Sequence, residues 1–499
     1  MRETTWQRFV SASLLALAVL SYAFWLTHGH FNFWHPGKGI GLTFNSMLNH
    51  LLRGEFDIDP LIVGKEGFHR NGQVFAYWGV FCAVIRWPLT LFPGGLDIDV
   101  TRLSCLLAVS LAAYAKLRTL HLLFLSSPAS AARNILYLTF AFSILFAGPQ
   151  IEFLRPVLFQ EVCLWAGALA AIFVYCAVRG ILHGRFTALL LCEMAFLAGL
   201  ALHTRVSLGV SLYAALGLLL LTILIRKPLQ SRGQVGPAGG TTNLSACASS
   251  RQFLLPLLVL LGFAVLAGLV NYHRWGNPLV FADFQLYLMN EYFPDRLPRT
   301  QAYGLFNLSR VPFGVVYYFF PIWILRREDG QLLFEEHQRR LIDATELPPS
   351  SFLLTDPLLM LLLFYAGWSL FVARRSDGIN RLHALAIASG LTASCLLMLS
   401  AISMNFRYRI DFYPLIEFGA FLGFLFICRL PLTESRLRRV CTLAIACSAL
   451  AILGSHLIMI LYKVSELGPP IEKMRLGAFA YFLQRIRSEF PSLASWILQ

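Results

Sequence analysis

The chain has 499 residues, 57% of them hydrophobic and only 14% charged, with a mean hydropathy of +0.63. Soluble domains average about 25% charged residues, so the composition excludes an ordinary soluble fold and points to an all-α, polytopic membrane protein. The formal charge of +14 invites a nucleic-acid partner, but the basic residues sit in short stretches between apolar runs and form no stripe, which excludes that class too.

In chain order, MRETTWQRFV leads into an apolar run with no small-residue cleavage site, so a retained first span is expected at Phe9–Thr27. Further runs long enough to cross about 30 Å of hydrocarbon are Leu103–Phe124, Arg133–Gly148, Val157–Val178, Phe186–His203, Val206–Ile225 and Phe253–Asn271. They continue with Phe352–Val372, His383–Ser403, Phe412–Cys428 and Val440–Leu461, giving about eleven spans. Two aromatic, Pro- and Gly-rich stretches, Val74–Phe92 and Val311–Leu325, are apolar but ambiguous. If neither spans, the loops on the N-terminal side of the membrane hold nearly all of the chain's positive excess. The positive-inside tendency makes that side cytoplasmic and leaves the doubtful pair as interfacial or re-entrant segments on the outer side.

The expected organisation follows. Residues 1–225 form an N-terminal transmembrane module carrying the first outer loop, 28–102. Residues 226–252, rich in Gly, Ser and Thr, read as a flexible cytoplasmic linker. Residues 253–462 form a C-terminal module with the outer loop 272–351, and 463–499 form an outer amphipathic tail. The ten cysteines show no CxxC or metal-type spacing, so neither a disulfide framework nor a metal site is expected. His28, His30 and His35 lack an acidic partner at fitting spacing, and GKGIG at 37–41 lacks the P-loop pattern, so no cofactor is expected.

Chemistry-bearing residues gather in the loops assigned to the outer side. Asp57 and Asp59 are carboxylates able to deprotonate an acceptor hydroxyl, although Asp59 before Pro60 also reads as a helix N-cap. Glu66 and Arg70 stand in EGFHRNG, where Arg70 suits a phosphate and Asn71-Gly72 marks a turn. Tyr77, Trp78 and Gly79 offer sugar-stacking faces, and equally fit an interfacial aromatic belt. Arg155 and Glu161 frame the entry to a span, where an ionisable group is costly. His203 and Arg205 occupy a tight hairpin between spans, and Arg407, Arg409 and Asp411 form the densest late charge cluster, suited to a lipid-linked phosphate.

Several of these stretches carry a resemblance. Thr101-Arg102-Leu103-Ser104 leads the second span, RPVLFQEVCLW runs from Arg155 to Trp165, and NYHRWGNPLVF (271–281) and RYRIDFYP (407–414) follow. With a first outer loop bearing acids, this layout resembles the type C glycosyltransferase superfamily, which includes protein O-mannosyltransferases and lipid A aminoarabinose transferases; the nearest likeness is to its uncharacterised bacterial branch. The chain departs from the mannosyltransferase pattern in three places, the first being that Asp57 and Asp59 lie further beyond the first span than that pattern implies. Asp-Ile-Asp replaces an adjacent acidic pair, and YWGVFCAVIRWPL stands where an HPPL-type segment is usual. The resemblance implies transfer of a sugar from a polyprenyl-phosphate donor to a glycan, lipid or protein acceptor, with Asp57 or Asp59 as base, arginines on the departing phosphate, no metal, and a site on the outer face of a bacterial inner membrane. A secondary transporter or flippase, or a non-catalytic assembly protein, are the competing readings; mid-span charges are few, Glu193 the clearest, and no inverted repeat is evident.

Overall fold

Apolar runs become helices here because a backbone in hydrocarbon must satisfy its own hydrogen bonds. The computed structural model describes residues 5–126, 130–231, 243–320, 341–342, 351–372, 379–464, 484–485 and 488. Every one of the eleven expected segments is helical. Eight helices among the described residues are long and apolar enough to cross a membrane: Phe9–Thr27, Thr101–Leu125, Ala131–Glu152, Leu158–Leu182, Val206–Ile225, Phe253–Trp275, Arg381–Ser400 and Glu434–Val464. The other three expected spans are the shorter helices Ala188–Leu202, Pro357–Phe371 and Tyr413–Arg429. Leu254, Leu258, Leu261, Val265 and Leu269 leave a half-exposed apolar face on one helix, as contact with lipid tails requires. The protein is therefore an integral, multi-pass membrane protein.

Small residues set how the helices meet. The helix Val206–Ser231 lies along Arg381–Ser400, and a Cβ on Gly390 would stand 2.2 Å from the Ala215 backbone. Thr101–Leu125 and Leu158–Leu182 meet through Ala112, Ala115, Ala168 and Ala171. Pro357–Phe371 and Tyr413–Arg429 close to contact at Gly423, where a Cβ would stand 2.1 Å from the Leu362 carbonyl oxygen. One large core draws on helices from both sides of the expected linker. Helix continues to Ser231 and resumes at Asn243, so only 232–242 of that linker lies outside the described residues. Of the expected amphipathic tail, Gln484, Arg485 and Ser488 alone are described beyond Val464.

The ambiguous stretch Val74–Phe92 does not cross the bundle. It breaks into a strand, a one-turn helix at Phe81–Val84 and a 3-10 segment at Trp87–Leu91. The described part of the second such stretch is the helix Val311–Phe319, nine residues long. Both are too short to span.

The long loops gather over one end of the bundle. In the first, β1 (His35–Pro36) pairs antiparallel with β4 (Ile98–Asp99) and closes the loop on itself. β2 (Phe68–Arg70) and β3 (Gln73–Phe75) form a hairpin whose turn residues, Asn71 and Gly72, both take positive φ, as a two-residue hairpin turn demands. Phe68 bridges to Tyr287, and Leu288 N–H donates to the Gly67 carbonyl. Phe306 bridges to Ala401, so the first loop, the 276–320 segment and the 401–412 segment form one cap.

Candidate active site

A cavity of about 630 Å³ lies beneath this cap. Its walls come from seven places in the chain. Tyr77, Trp78 and Gly79 enter from the first loop, and Phe159 and Val162 from the start of helix Leu158–Leu182. The hairpin Thr204–Ser207, the segments Leu279–Phe284 and Leu305–Phe306, and Met398 with Arg407 and Tyr408 complete it. The first loop reaches the hairpin through a close backbone approach. Phe81 N–H donates to the His203 carbonyl at 3.0 Å, and a Cβ on Gly79 would stand 1.8 Å from that same oxygen.

The cavity's two cations are held differently. Arg407 lies over the Phe159 ring, its guanidinium carbon 4.2 Å from the centroid. Arg205 donates from Nε and Nη2 to Asp411 Oδ2 at 2.8 and 2.6 Å, while Ser207 Oγ donates to Oδ1 at 2.5 Å. Burial works against the Arg205 charge, but Asp411 beside it raises the guanidinium's pKa overall. Arg205 is thus a fixed cation whose remaining edge faces the cavity wall near Tyr408. Tyr77 keeps its phenol proton, because burial pushes its pKa up.

The 3-10 segment Phe406–Asp411 explains why neighbouring residues take different jobs. Arg407 and Tyr408 line the cavity; Arg409 and Asp411 turn inward and anchor. Arg409, fully buried, donates from Nη1 to both Glu152 oxygens at 2.7 and 2.6 Å and from Nη2 to Thr355 and Asp356. Tyr413 donates to Asp356 Oδ2 at 2.9 Å.

The remaining expected site residues fall around the cavity rather than on its walls. Glu66 accepts from the Tyr287 hydroxyl at 2.7 Å, and both it and burial raise that phenol's pKa. Its field also reaches Tyr77. Asp57 bonds His50 Nδ1 at 2.9 Å and lies 3.4 Å from Gln73 Nε2. Asp59 caps the short helix Pro60–Val63, accepting from Leu61 N–H at 2.8 Å. Neither aspartate lines the cavity. Arg70 donates to the Arg274 carbonyl, and Arg274 in turn donates to the Trp78 carbonyl at 2.8 Å. Arg155 lies over the Tyr462 ring. Glu161 is fully buried and takes Arg86 Nη2 at 2.6 Å; Arg86 also donates to Asn45. His203 Nε2 contacts the Phe263 carbonyl, and burial holds the ring's pKa down. Among the described residues one group has metal-ligand atoms within 4.8 Å of each other, His50, Glu55 and Asp57; it stands apart from the cavity lining and we assign it no ion.

Sequence reasoning missed Glu152, Thr355, Asp356, Arg274 and the partners Arg86 and His50. The signal for Glu152 was its place in a short polar loop between two apolar runs, beside Arg155. Lys116, within helix Thr101–Leu125, is buried and pairs with Glu417 at 2.5 Å.

Fold and cavity together define an all-α membrane protein with a cationic, aromatic-walled chamber at one end of its bundle. No family model matches the sequence, and no curated protein matches it. Among solved structures, the chain is similar to the oligosaccharyltransferase of Archaeoglobus fulgidus in its apo form. The TM-score is 0.48 at 13% identity, over 98% of this chain and 59% of that one. AglB from the same organism, in complex with an inhibitory peptide and a dolichol-phosphate, gives the same values. ArnT from Cupriavidus metallidurans bound to undecaprenyl phosphate gives 0.41 at 13% identity, over 96% of this chain and 79% of that one. The chain spans about 59% of the length of the archaeal structures.

Proposed function

We propose that this chain is a membrane glycosyltransferase. It takes a sugar from a polyprenyl-phosphate donor, of the class of dolichol-phosphate and undecaprenyl phosphate, and passes it to a hydroxyl of an extracytoplasmic glycan, lipid or protein. The observation that carries the reading is the composition of the cavity wall: two arginines, the rings of Tyr77, Trp78 and Phe159, and a largely apolar remainder that includes Val210, Leu397 and Phe306. A volume of about 630 Å³ falls in the range of small-molecule sites. Arginine suits a phosphate by charge and by its planar fork. Tyr77 and Trp78 offer faces to a sugar, and the apolar wall suits an isoprenoid.

The acceptor oxygen attacks the anomeric carbon, and the sugar–phosphate C–O bond breaks with its electron pair going to the phosphate oxygen. Arg407 and Arg205 stabilise the charge that develops there. A first-loop carboxylate takes the acceptor's proton. We assign that role to Glu66, which accepts from the Tyr287 hydroxyl at 2.7 Å; Asp57 is held by His50, and Asp59 is committed to its cap. Asp411 and Arg409 fix the loop that presents Arg407.

The test is envelope glycan analysis of cells carrying R407A, E66Q, D57N or D59N at wild-type protein level. R407A is expected to lower transfer about 10²–10³-fold, as loss of one charge-stabilising donor does, and E66Q to abolish it. D57N and D59N are expected to retain it. Unchanged glycans in R407A would sink the enzyme reading, and loss confined to D57N would move the base to Asp57.

One observation favours the second reading, a lipid transporter: Lys116–Glu417 and the Arg409 cluster place charges inside the bundle, where transporters keep them. Purified protein that moves a labelled lipid between vesicle leaflets, without sugar transfer, would establish that reading instead.

A further inference from the structure

Among the described residues, three buried cations bond carboxylates: Arg86 meets Glu161, Lys116 meets Glu417, and Arg409 meets Glu152 and Asp356. Arg274 is equally buried, and its described bonds go to neutral groups. It stands in the last turn of helix Asn243–Trp275, where the negative end of the helix dipole favours a cation. Nη1 donates to the Trp78 carbonyl at 2.8 Å, and Nη2 to Met47 Sδ at 3.6 Å. Arg310, also buried, is held differently, with bonds to the Gly304, Leu305, Leu341 and Ser400 carbonyls. Arg205, on the cavity wall, is answered directly by Asp411. The Arg274 charge has no such answer among the described residues, and a buried charge acts strongly on what lies near it.

What lies near it is the cavity. Trp78 and Gly79 both line the cavity, so the guanidinium sits directly behind that wall. It also takes hold of one peptide in the wall. The Trp78 carbonyl turns to Arg274, so the Gly79 N–H of the same planar peptide points the opposite way. That N–H makes no hydrogen bond among the described residues. We propose that Arg274 is a positioning residue that gives the cavity its preference for an anionic head group over a neutral one. It does so by its charge and by aligning the Trp78–Gly79 peptide, whose N–H end then faces the anion. The inference rests on the reading that the cavity takes a polyprenyl phosphate. A second effect of the same charge supports it: Arg274 lowers the pKa of His203, beside the hairpin residues Thr204–Ser207 on the cavity wall.

Binding of undecaprenyl phosphate and of undecaprenol, which has the same tail and a neutral head, to the purified full-length protein tests it. Wild type is expected to prefer the phosphate. R274Q is expected to weaken undecaprenyl phosphate binding about tenfold, the scale of one charge acting across a thin layer of protein, and to leave undecaprenol binding unchanged. A second pair of variants leaves Arg274 and its bond to Trp78 in place. M47E sets a carboxylate beside the guanidinium and is expected to reproduce the loss, while M47Q, its neutral counterpart, is expected to keep wild-type preference. If R274Q does not fold, judged by thermal unfolding, the Met47 pair decides. Equal weakening of both lipids in R274Q would reduce Arg274 to a structural support of the wall and overturn the inference. So would a phosphate preference that survives in R274Q or in M47E. Wild type without any preference for the phosphate overturns the polyprenyl-phosphate reading and this inference together, whereas a wild-type preference that the variants retain overturns this inference alone.

Discussion

Glu161 shows how a single buried charge is justified in this chain. It sits in the first turn of helix Leu158–Leu182 with no exposure, and the group that answers it, Arg86, lies 75 residues earlier in a stretch that hydropathy reads as a span. Arg86 is equally buried and divides its donors among Glu161, Asn45 and Thr101. Removing one partner strands the other charge, which costs about 3–5 kcal/mol, whereas replacing both with apolar groups is often neutral. E161A is therefore expected to lower unfolding stability by that amount, and E161A with R86M to recover most of it, measured by thermal unfolding in detergent. His203 yields a second residue-scale expectation. Burial lowers its pKa below the ordinary 6.5, so between the folded value and 6.5 the unfolded chain binds more protons than the folded one. Stability then rises with pH through that window and is lost as pH falls below 6.5. H203N is expected to flatten this part of the profile, read as melting temperature across about pH 5–8. An unchanged slope would place the titration elsewhere.

The elements that build the cavity are loops, and their placement depends on close backbone contacts. Gly79 is the tightest of these. A methyl group there would meet the His203 carbonyl, which belongs to the backbone of a two-helix hairpin and cannot rotate aside. G79A is expected to break the Phe81–His203 hydrogen bond and push Tyr77 and Trp78 off the wall, at a cost of about 1–3 kcal/mol. Helix content measured by circular dichroism should hold while binding of a polyprenyl phosphate falls; retained binding would show that the first loop does not form that wall. Residue types at this scale were legible in the sequence, and partnerships were not. NFRYRIDFYP announces a charge cluster, yet nothing in it says that Arg407 faces a cavity while Arg409 reaches Glu152, 257 residues away. Asp59 was readable as a cap because Asp-Pro is a local signal, confirmed within two residues by the Leu61 N–H. Asp57 has no local signal, and its His50 partner emerges only when the short helix Thr43–Leu51 folds back beside it.

For the whole molecule, hydropathy found the helices because hydrocarbon dictates both their composition and their length. It misplaced their polar ends. The helix expected from Phe253 begins at Asn243, since backbone hydrogen bonding continues into residues that no apolar window includes. What hydropathy cannot supply is which end of the bundle faces out. The fold narrows that to one choice, because the first loop, the 276–320 segment and the 401–412 segment are joined by backbone bridges and must share a side. For the side we propose a reading from charge: Arg179, Arg185, Arg429, Arg436, Arg438 and Arg439 mark helix ends away from the cap, and by the positive-inside tendency those ends are expected to be cytoplasmic. A pair of single cysteines decides it. Leu61 is 91% exposed in the cap, and Ser435 is exposed at the start of helix Glu434–Val464, at the other end. The described native cysteines are buried or half-buried, which keeps background labelling low. An impermeant thiol reagent on intact cells is expected to label L61C and to reach S435C only after lysis. Labelling of S435C on intact cells would invert the membrane orientation, and with it place the cavity, and any donor it takes, on the cytoplasmic side.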